Sequence, residues 1–276
     1  MNLLSNLWRD LTLILTNIQY LFLWKKTNKH DVENHEKILR FCPKRNPNTV
    51  WSTLWHFIVP RIHLNDHHPV ITAPENSYKR DNDGTIIFYI NGVLTSENKY
   101  SHQVHYLSYL LRHKVVGLYN PTNGLLIDIL ECFLGRTLNI REPIVNSYAK
   151  IIKQALLSQD KVILIGHSQG GIVISNIIKR LKQDAQVNQI LHKLEVYTFG
   201  SGADEMPVIP YPPFHFVNTE DFVARIGVLG CKDTMFGIIR PAYRTGHSFE
   251  KFYLTGFADG EYGTDSNLYQ NYIVYK

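Results

Sequence analysis

In Gly166-His167-Ser168-Gln169-Gly170 a serine stands midway between two glycines. G-x-S-x-G is the pattern of a serine carried on a turn too tight for larger neighbours. Glycine two residues before and two after lets the incoming and outgoing backbone approach each other. The setting matters more than the five letters. Lys161–Ile165 is a short apolar run that reads as a buried strand, and Gly171–Leu181 is apolar at helical spacing. The serine therefore falls on a strand–turn–helix junction. A hydroxyl placed there is a candidate nucleophile at the carboxyl end of a sheet, and the following helix directs its amide dipoles at developing negative charge. The plainer alternative is a glycine-rich turn with a bystander serine.

A serine hydroxyl is a weak nucleophile without a base, and the base needs a carboxylate to fix its tautomer. Local geometry does not fix where the acid and histidine lie along the chain; the order that accompanies G-x-S-x-G elbows, serine then acid then histidine, directs the search to residues after 168. Asp221 lies just beyond the apolar run Phe214–Val217, with Glu220 beside it and Asp204 after the preceding strand as competitors. A turn or helix-capping role is the ordinary alternative for Asp221. Of the later histidines, His192 precedes its strand and His215 lies inside one, whereas His247 sits in a late loop, Arg244–Ser248. His247 is the expected base. Two backbone N–H groups should receive an oxyanion: that of Gln169, and that of Gly92 or Val93 in the loop after the strand Thr85–Ile90. An Asn91-Gly92 turn without such a role is the alternative.

The elements that must hold these groups alternate. Strands are expected at 85–90, 115–119, 161–165, 194–199 and 214–217. Helices are expected at about 97–113, 125–134, 143–157 and 171–181. Alternation of this sort predicts an α/β fold with a mostly parallel central sheet flanked by helices. Residues 85–276 form the expected catalytic domain, and residues 1–84 an N-terminal helix and a wrapping extension rich in Pro and His. In that helix Leu4, Leu7, Leu11, Ile14, Ile18 and Leu21 recur at helical spacing, but Arg9 and Asp10 interrupt the apolar run. This makes a poor secretory signal and a poor membrane span. Two readings stay open for residues 1–26: a helix packed on the domain, or peripheral contact with a membrane surface through Trp8, Trp24 and Lys25-Lys26.

The chain has 276 residues, 44% hydrophobic and 19% charged, with a net charge of +5. That suits one large globular domain. The basic residues are scattered, with no basic–aromatic repeat of the kind that reads nucleic acid, so no nucleic-acid partner is expected. Cys42, Cys132 and Cys231 are far apart and odd in number, which argues against a disulfide framework and fits a cytoplasmic setting. No metal-ligand spacing, nucleotide loop or G-x-G-x-x-G is present, so neither metal nor cofactor is inferred.

These residues resemble the α/β-hydrolase superfamily. The strand running into Gly166-His167-Ser168-Gln169-Gly170 looks like its nucleophile elbow. Thr198-Phe199-Gly200 and Asn218 through Arg225 are similar to the segments after the elbow and around the acid in class 3 (fungal-type) lipases. His247 through Tyr253 resembles their histidine segment, and Tyr119 through Asp128 looks like a feature of bacterial and fungal α/β-hydrolases. The resemblance implies Asp221 over Glu220, His247 over the other histidines, and a lipase- or esterase-like serine hydrolase acting on an ester or lipid-like small molecule. Asn91-Gly92 and Ala224 depart from the His-Gly and Pro usual in such proteins. An acyltransferase or thioesterase with the same residues, or a non-catalytic binding protein on the same fold, are the alternatives.

Overall fold

The computed structural model describes residues 3–20, 70–72, 83–93, 95–121 and 142–273. Seven strands form one sheet in the order β1-β3-β2-β4-β5-β6-β7. They are β1 (Val70–Thr72), β2 (Thr85–Ile90), β3 (Val115–Leu118), β4 (Lys161–His167), β5 (Leu194–Phe199), β6 (Phe214–Glu220) and β7 (Ile238–Thr245). β1 pairs antiparallel with β3, and the other five pairings are parallel. This is the mostly parallel, helix-flanked sheet expected of an α/β fold.

A parallel strand covered on both faces must be apolar throughout, because successive side chains point to opposite layers. In β4, Val162 and Leu164 enter one buried cluster and Ile163 and Ile165 the other. β2 divides likewise, with Phe88 and Ile90 on one side and Ile87 and Tyr89 on the other. The first layer packs under α3 (Glu142–Ser158), α4 (Gln169–Lys182) and Val187 of α5 (Ala185–Ile190). The second packs under α2 (Glu97–Leu111) and the C-terminal segment from Phe249. Burial of this kind contributes about 25 cal/mol for each Å² of apolar surface removed from water.

Two segments differ from expectation. Val70–Thr72, inside the stretch read as a wrapping extension, adds the antiparallel edge strand β1. β7 was not legible, because Ile238–Thr245 carries two arginines and a proline and is only partly buried. An edge strand has one covered neighbour, so it does not need a continuous apolar run. Ala203, Met206 and Ile209, between β5 and β6, pack into the cluster beneath α4. The expected helix at 125–134 lies outside the described residues.

The N-terminal helix α1 (Leu3–Asn17) sits on the domain with its apolar side outward. Leu7, Trp8, Leu11, Leu15 and Ile18 are exposed, Trp8 to 68%. At 100° per residue they form one stripe. The opposite side is held by polar contacts. Arg9 bridges buried Asp10 and, at 2.9 Å, Asp204. Asn17 Oδ1 accepts from Arg225 Nε at 2.6 Å. The Arg225 guanidinium lies 4.0 Å from the ring centre of Tyr20. Phe222 and Ile226 of α6 (Phe222–Ile226) complete the seat with Leu13 and Ile14. No helix among the described residues is long and apolar enough to cross a membrane.

Candidate active site

β4 ends at His167, and α4 begins at Gln169, leaving one residue to reverse the chain. Ser168 makes that reversal at φ 57°, ψ −122°, a conformation side chains rarely adopt. A non-glycine residue there stores strain of about 1–3 kcal/mol, and the surroundings hold it in place. Its N–H donates to Phe199 O at 3.1 Å, and its carbonyl accepts from Gly171 and Gly202 at 3.1 and 3.2 Å. Gly170 makes room for the turn, since a Cβ there would come within 2.2 Å of the Ile90 carbonyl oxygen. Gly166 faces Gly170 across the same turn. The serine side chain caps nothing. The basic residues of α4, Lys179, Arg180 and Lys182, are in its last turn, where they suit the helix dipole and leave its positive end to the serine.

The hydroxyl enters a single row. His247 Nε2 is 2.8 Å from Ser168 Oγ, and His247 Nδ1 is 2.7 Å from Asp221 Oδ2. A carboxylate only accepts, so Nδ1 carries the imidazole proton and Nε2 is left to accept from the serine. All three groups are buried: Ser168 is 2% exposed, Asp221 1% and His247 6%. Asp221 also caps α6, its Oδ1 accepting from Val223 N–H at 2.9 Å. The capping role weighed as an alternative is thus filled by one oxygen while the other meets the histidine. Glu220 is absent from the row, and Asp204 belongs to Arg9 of α1. His215 is buried in β6, 2.8 Å from Thr198 Oγ1 and 3.1 Å from the Phe236 carbonyl. His192 is exposed before β5.

Several residues that hold the row have no role assigned to them from the sequence, although His167, Asn218 and Tyr253 lie in the segments that carry the resemblance. Tyr253 Oη donates to the same Asp221 Oδ2 at 2.5 Å and accepts the Asn218 N–H at 3.2 Å. Burial, and then the charge of Asp221, push the Tyr253 phenol well above its usual range, so it remains a donor. Asn218 Nδ2 donates to the Gly246 carbonyl at 3.0 Å, fixing the loop that carries His247, and Tyr262 donates to Asn218 Oδ1 at 2.6 Å. His167 lies beneath His247 and bonds its carbonyl. Burial, and then the neighbouring His247, push the His167 imidazole well below its usual range, which keeps it neutral. Tyr20, Phe222, Val223 and Gly246 line a small hollow over Asp221 and His247.

Of the expected oxyanion residues, Gly92 packs on the serine and Gln169 follows it in the chain. Gly92 lies against it so closely that a Cβ would come within 2.5 Å of Ser168 Cβ. Gln169 supplies the first amide of α4, one of the four that have no partner within a helix. Val93 follows Gly92 at the surface of the same loop, half-buried. The arrangement sets a hydroxyl against an acid-held imidazole at the first turn of a helix, a combination of groups that acyl-transfer chemistry uses.

No family model matches the chain, and no curated protein matches it by sequence. Among solved structures it is similar to an arylesterase at 13% identity and TM-score 0.40, covering 85% of this chain and 91% of that one. It is also similar to an esterase from Pyrobaculum calidifontis at 14% identity and TM-score 0.43, over 87% and 91% of the two chains. A thermophilic carboxylesterase from a metagenomic library matches at 11% identity and TM-score 0.43, over 81% and 90%. The functional reading rests on the site itself.

Proposed function

We propose that the chain is a serine hydrolase that cleaves carboxylic esters, lipase- or esterase-like in substrate. The observation that carries this reading is the hydrogen-bonded row from Ser168 Oγ through His247 to Asp221, set at a strained turn. Ser168 Oγ attacks the ester carbonyl carbon while His247 Nε2 takes its proton. The carbonyl oxygen becomes an oxyanion facing the Gln169 N–H and the Gly92–Val93 amides, an interaction worth about 3 kcal/mol per donor. The intermediate collapses, the C–O bond to the alcohol breaks, and His247 returns the proton to the leaving oxygen. Water then attacks the acyl-enzyme by the same route, releasing the carboxylic acid and free Ser168. Asp221 holds the imidazole tautomer and stabilises the imidazolium.

A fluorophosphonate probe tests the reading, because it traps a serine that has a working base. Labelling of wild type that disappears in Ser168→Ala and in His247→Ala supports it. A folded wild type that takes no label overturns it and favours a binding protein on a hydrolase fold. A panel of esters, thioesters and acyl acceptors then separates hydrolase from thioesterase and acyltransferase, which share these steps and differ in the group that enters or leaves.

Contact of residues 1–26 with a lipid surface is a separate reading, supported by the uncharged stripe of Leu7, Trp8, Leu11, Leu15 and Ile18 on α1. Co-flotation with anionic vesicles, lost in a Trp8→Ser/Leu11→Ser/Leu15→Ser variant, is the expected result. Failure of wild type to float removes the reading.

A further inference from the structure

The loop after β2 and the loop after β3 are tied by side chains at the point where their backbones stop pairing. Ile90 and Leu118 form the last register pair of the two strands. One residue beyond β2, Asn91 Oδ1 accepts from the Asn120 backbone N–H at 2.8 Å, and Asn91 Nδ2 donates to the Asn120 carbonyl at 2.8 Å. The side-chain amide thus continues the ladder in place of a strand. The second hydrogen of Asn91 Nδ2 goes to the Gly92 carbonyl at 2.9 Å. Asn120 answers with its own amide, Nδ2 donating to the Asn91 carbonyl at 3.3 Å and to Gln169 Oε1 at 2.7 Å. Tyr119 Oη adds a bond to the Thr95 carbonyl at 2.8 Å, on the far side of the same loop. Asn91 and Asn120 have no exposed surface at all.

Two of these bonds, to the Gly92 and Asn91 carbonyls, fall on the peptides that flank Gly92, and a third reaches the Gln169 side chain. Gly92 O and Val93 N–H belong to one peptide group, and in a trans peptide they point to opposite sides. No peptide in the described residues is cis. Holding Gly92 O inward on Asn91 therefore turns the Val93 N–H outward from that bond. The Asn120–Gln169 bond fixes the residue that supplies the other amide. One buried asparagine pair thus spans both sides of the place where the oxyanion forms, and it does so away from water, where hydrogen bonds orient most firmly.

We propose that Asn120 and Asn91 are positioning residues that preset the two oxyanion amides, Val93 N–H and Gln169 N–H, before substrate arrives. The proposal rests on the ester-hydrolase reading. Neither asparagine touches the reacting atoms. Their effect is to remove the reorganisation that free loops would undergo on each turnover, which is where preorganised dipoles gain their advantage. The departure from His-Gly at Asn91-Gly92 acquires a reason: the side chain at 91 must both donate and accept with amide geometry to copy a strand's backbone.

The test uses the full chain, a short-chain p-nitrophenyl ester, and an alkylboronic acid of matching length that mimics the tetrahedral intermediate. In Asn120→Ala, kcat is expected to fall by about ten- to a hundredfold with KM within about twofold, and boronate affinity to fall by the same factor as kcat. Asn91→Asp keeps the acceptor but sets a carboxylate oxygen against two carbonyls, and it should show the same pattern, which covers the case that Asn120→Ala does not fold. Asn120→Asp should recover part of the loss, because the Gln169 amide can turn and donate to the new carboxylate. Unchanged kcat in folded variants overturns the clamp while leaving the hydrolase reading intact. A kcat loss without the matching boronate loss also overturns it. A wild type that neither turns over esters nor takes a fluorophosphonate overturns both.

Discussion

His167 Nε2 donates to the backbone carbonyl of His247 at 2.8 Å, with the two rings 4.7 Å apart. The residue before the candidate nucleophile thereby holds the loop that delivers the candidate base. In His167→Phe the ring packing is kept and the donor is lost. A buried carbonyl left without a partner costs about 1–3 kcal/mol, so the urea midpoint should drop and ester turnover should fall with it. His167→Gln, which can still reach the carbonyl, should recover part of both. Wild-type stability and turnover in His167→Phe would show that the bond holds nothing.

Ser168 carries its strain whatever the side chain, provided there is one. Ser168→Ala should lose ester turnover and keep the strain at φ 57°. Ser168→Gly should lose turnover equally but relax the turn, and come out about 1 kcal/mol more stable than Ser168→Ala. Paired denaturation curves measure this difference. Equal stabilities would mean that the turn costs nothing.

Tyr253→Phe removes one of two donors to Asp221 Oδ2 and leaves the His247 bond and the Val223 cap in place. The acid then accepts one charge-assisted bond fewer and is less firmly oriented. The expected outcome is a kcat reduced by about tenfold, KM unchanged, and the fluorophosphonate labelling rate reduced in proportion. A change confined to KM would place Tyr253 in substrate binding instead.

Acid should destabilise the fold from about pH 6.5. Burial lowers His215 from 6.5 to about 4. Between those values the unfolded chain binds a proton that the folded chain refuses, so stability is present in full above the unfolded value and is lost as the pH falls toward the folded one. His215 alone accounts for at most about 3 kcal/mol, and buried His167 acts with the same sign. His215→Gln should be flatter than wild type between pH 6.5 and 4 in urea titrations, even if less stable at pH 7. An unchanged slope would exclude His215 as its source.

The features legible in the sequence are those decided by neighbours in the chain. The apolar run of β4 and the glycines around Ser168 describe a local steric problem with few solutions, so strand, turn and helix could be read together. His247 could be singled out as the candidate base because alternatives were few, one preceding its strand and one lying inside a strand. Asp221 against Glu220 was harder. Adjacent residues at the end of a strand point opposite ways, and the pairing of β6 with β7 shifts register between Asn218 and Glu220. No pattern in the chain announces that shift.

What the sequence determined by itself, then, was the junction that carries Ser168 and the parallel sheet beneath it, since both follow from contacts close along the chain. The contact of Asp221 with His247, favoured but not fixed by the resemblance, came from long-range packing, as did the bracing by Tyr253 and Asn218, the tie between Asn91 and Asn120, and the outward apolar stripe of α1. These are single hydrogen bonds and ion pairs between residues 26 to 208 positions apart. Polar side chains such as Asn and Tyr look the same in sequence whether they cap a turn or lock a site. Their partners exist only once burial has excluded water and left each donor one acceptor within reach.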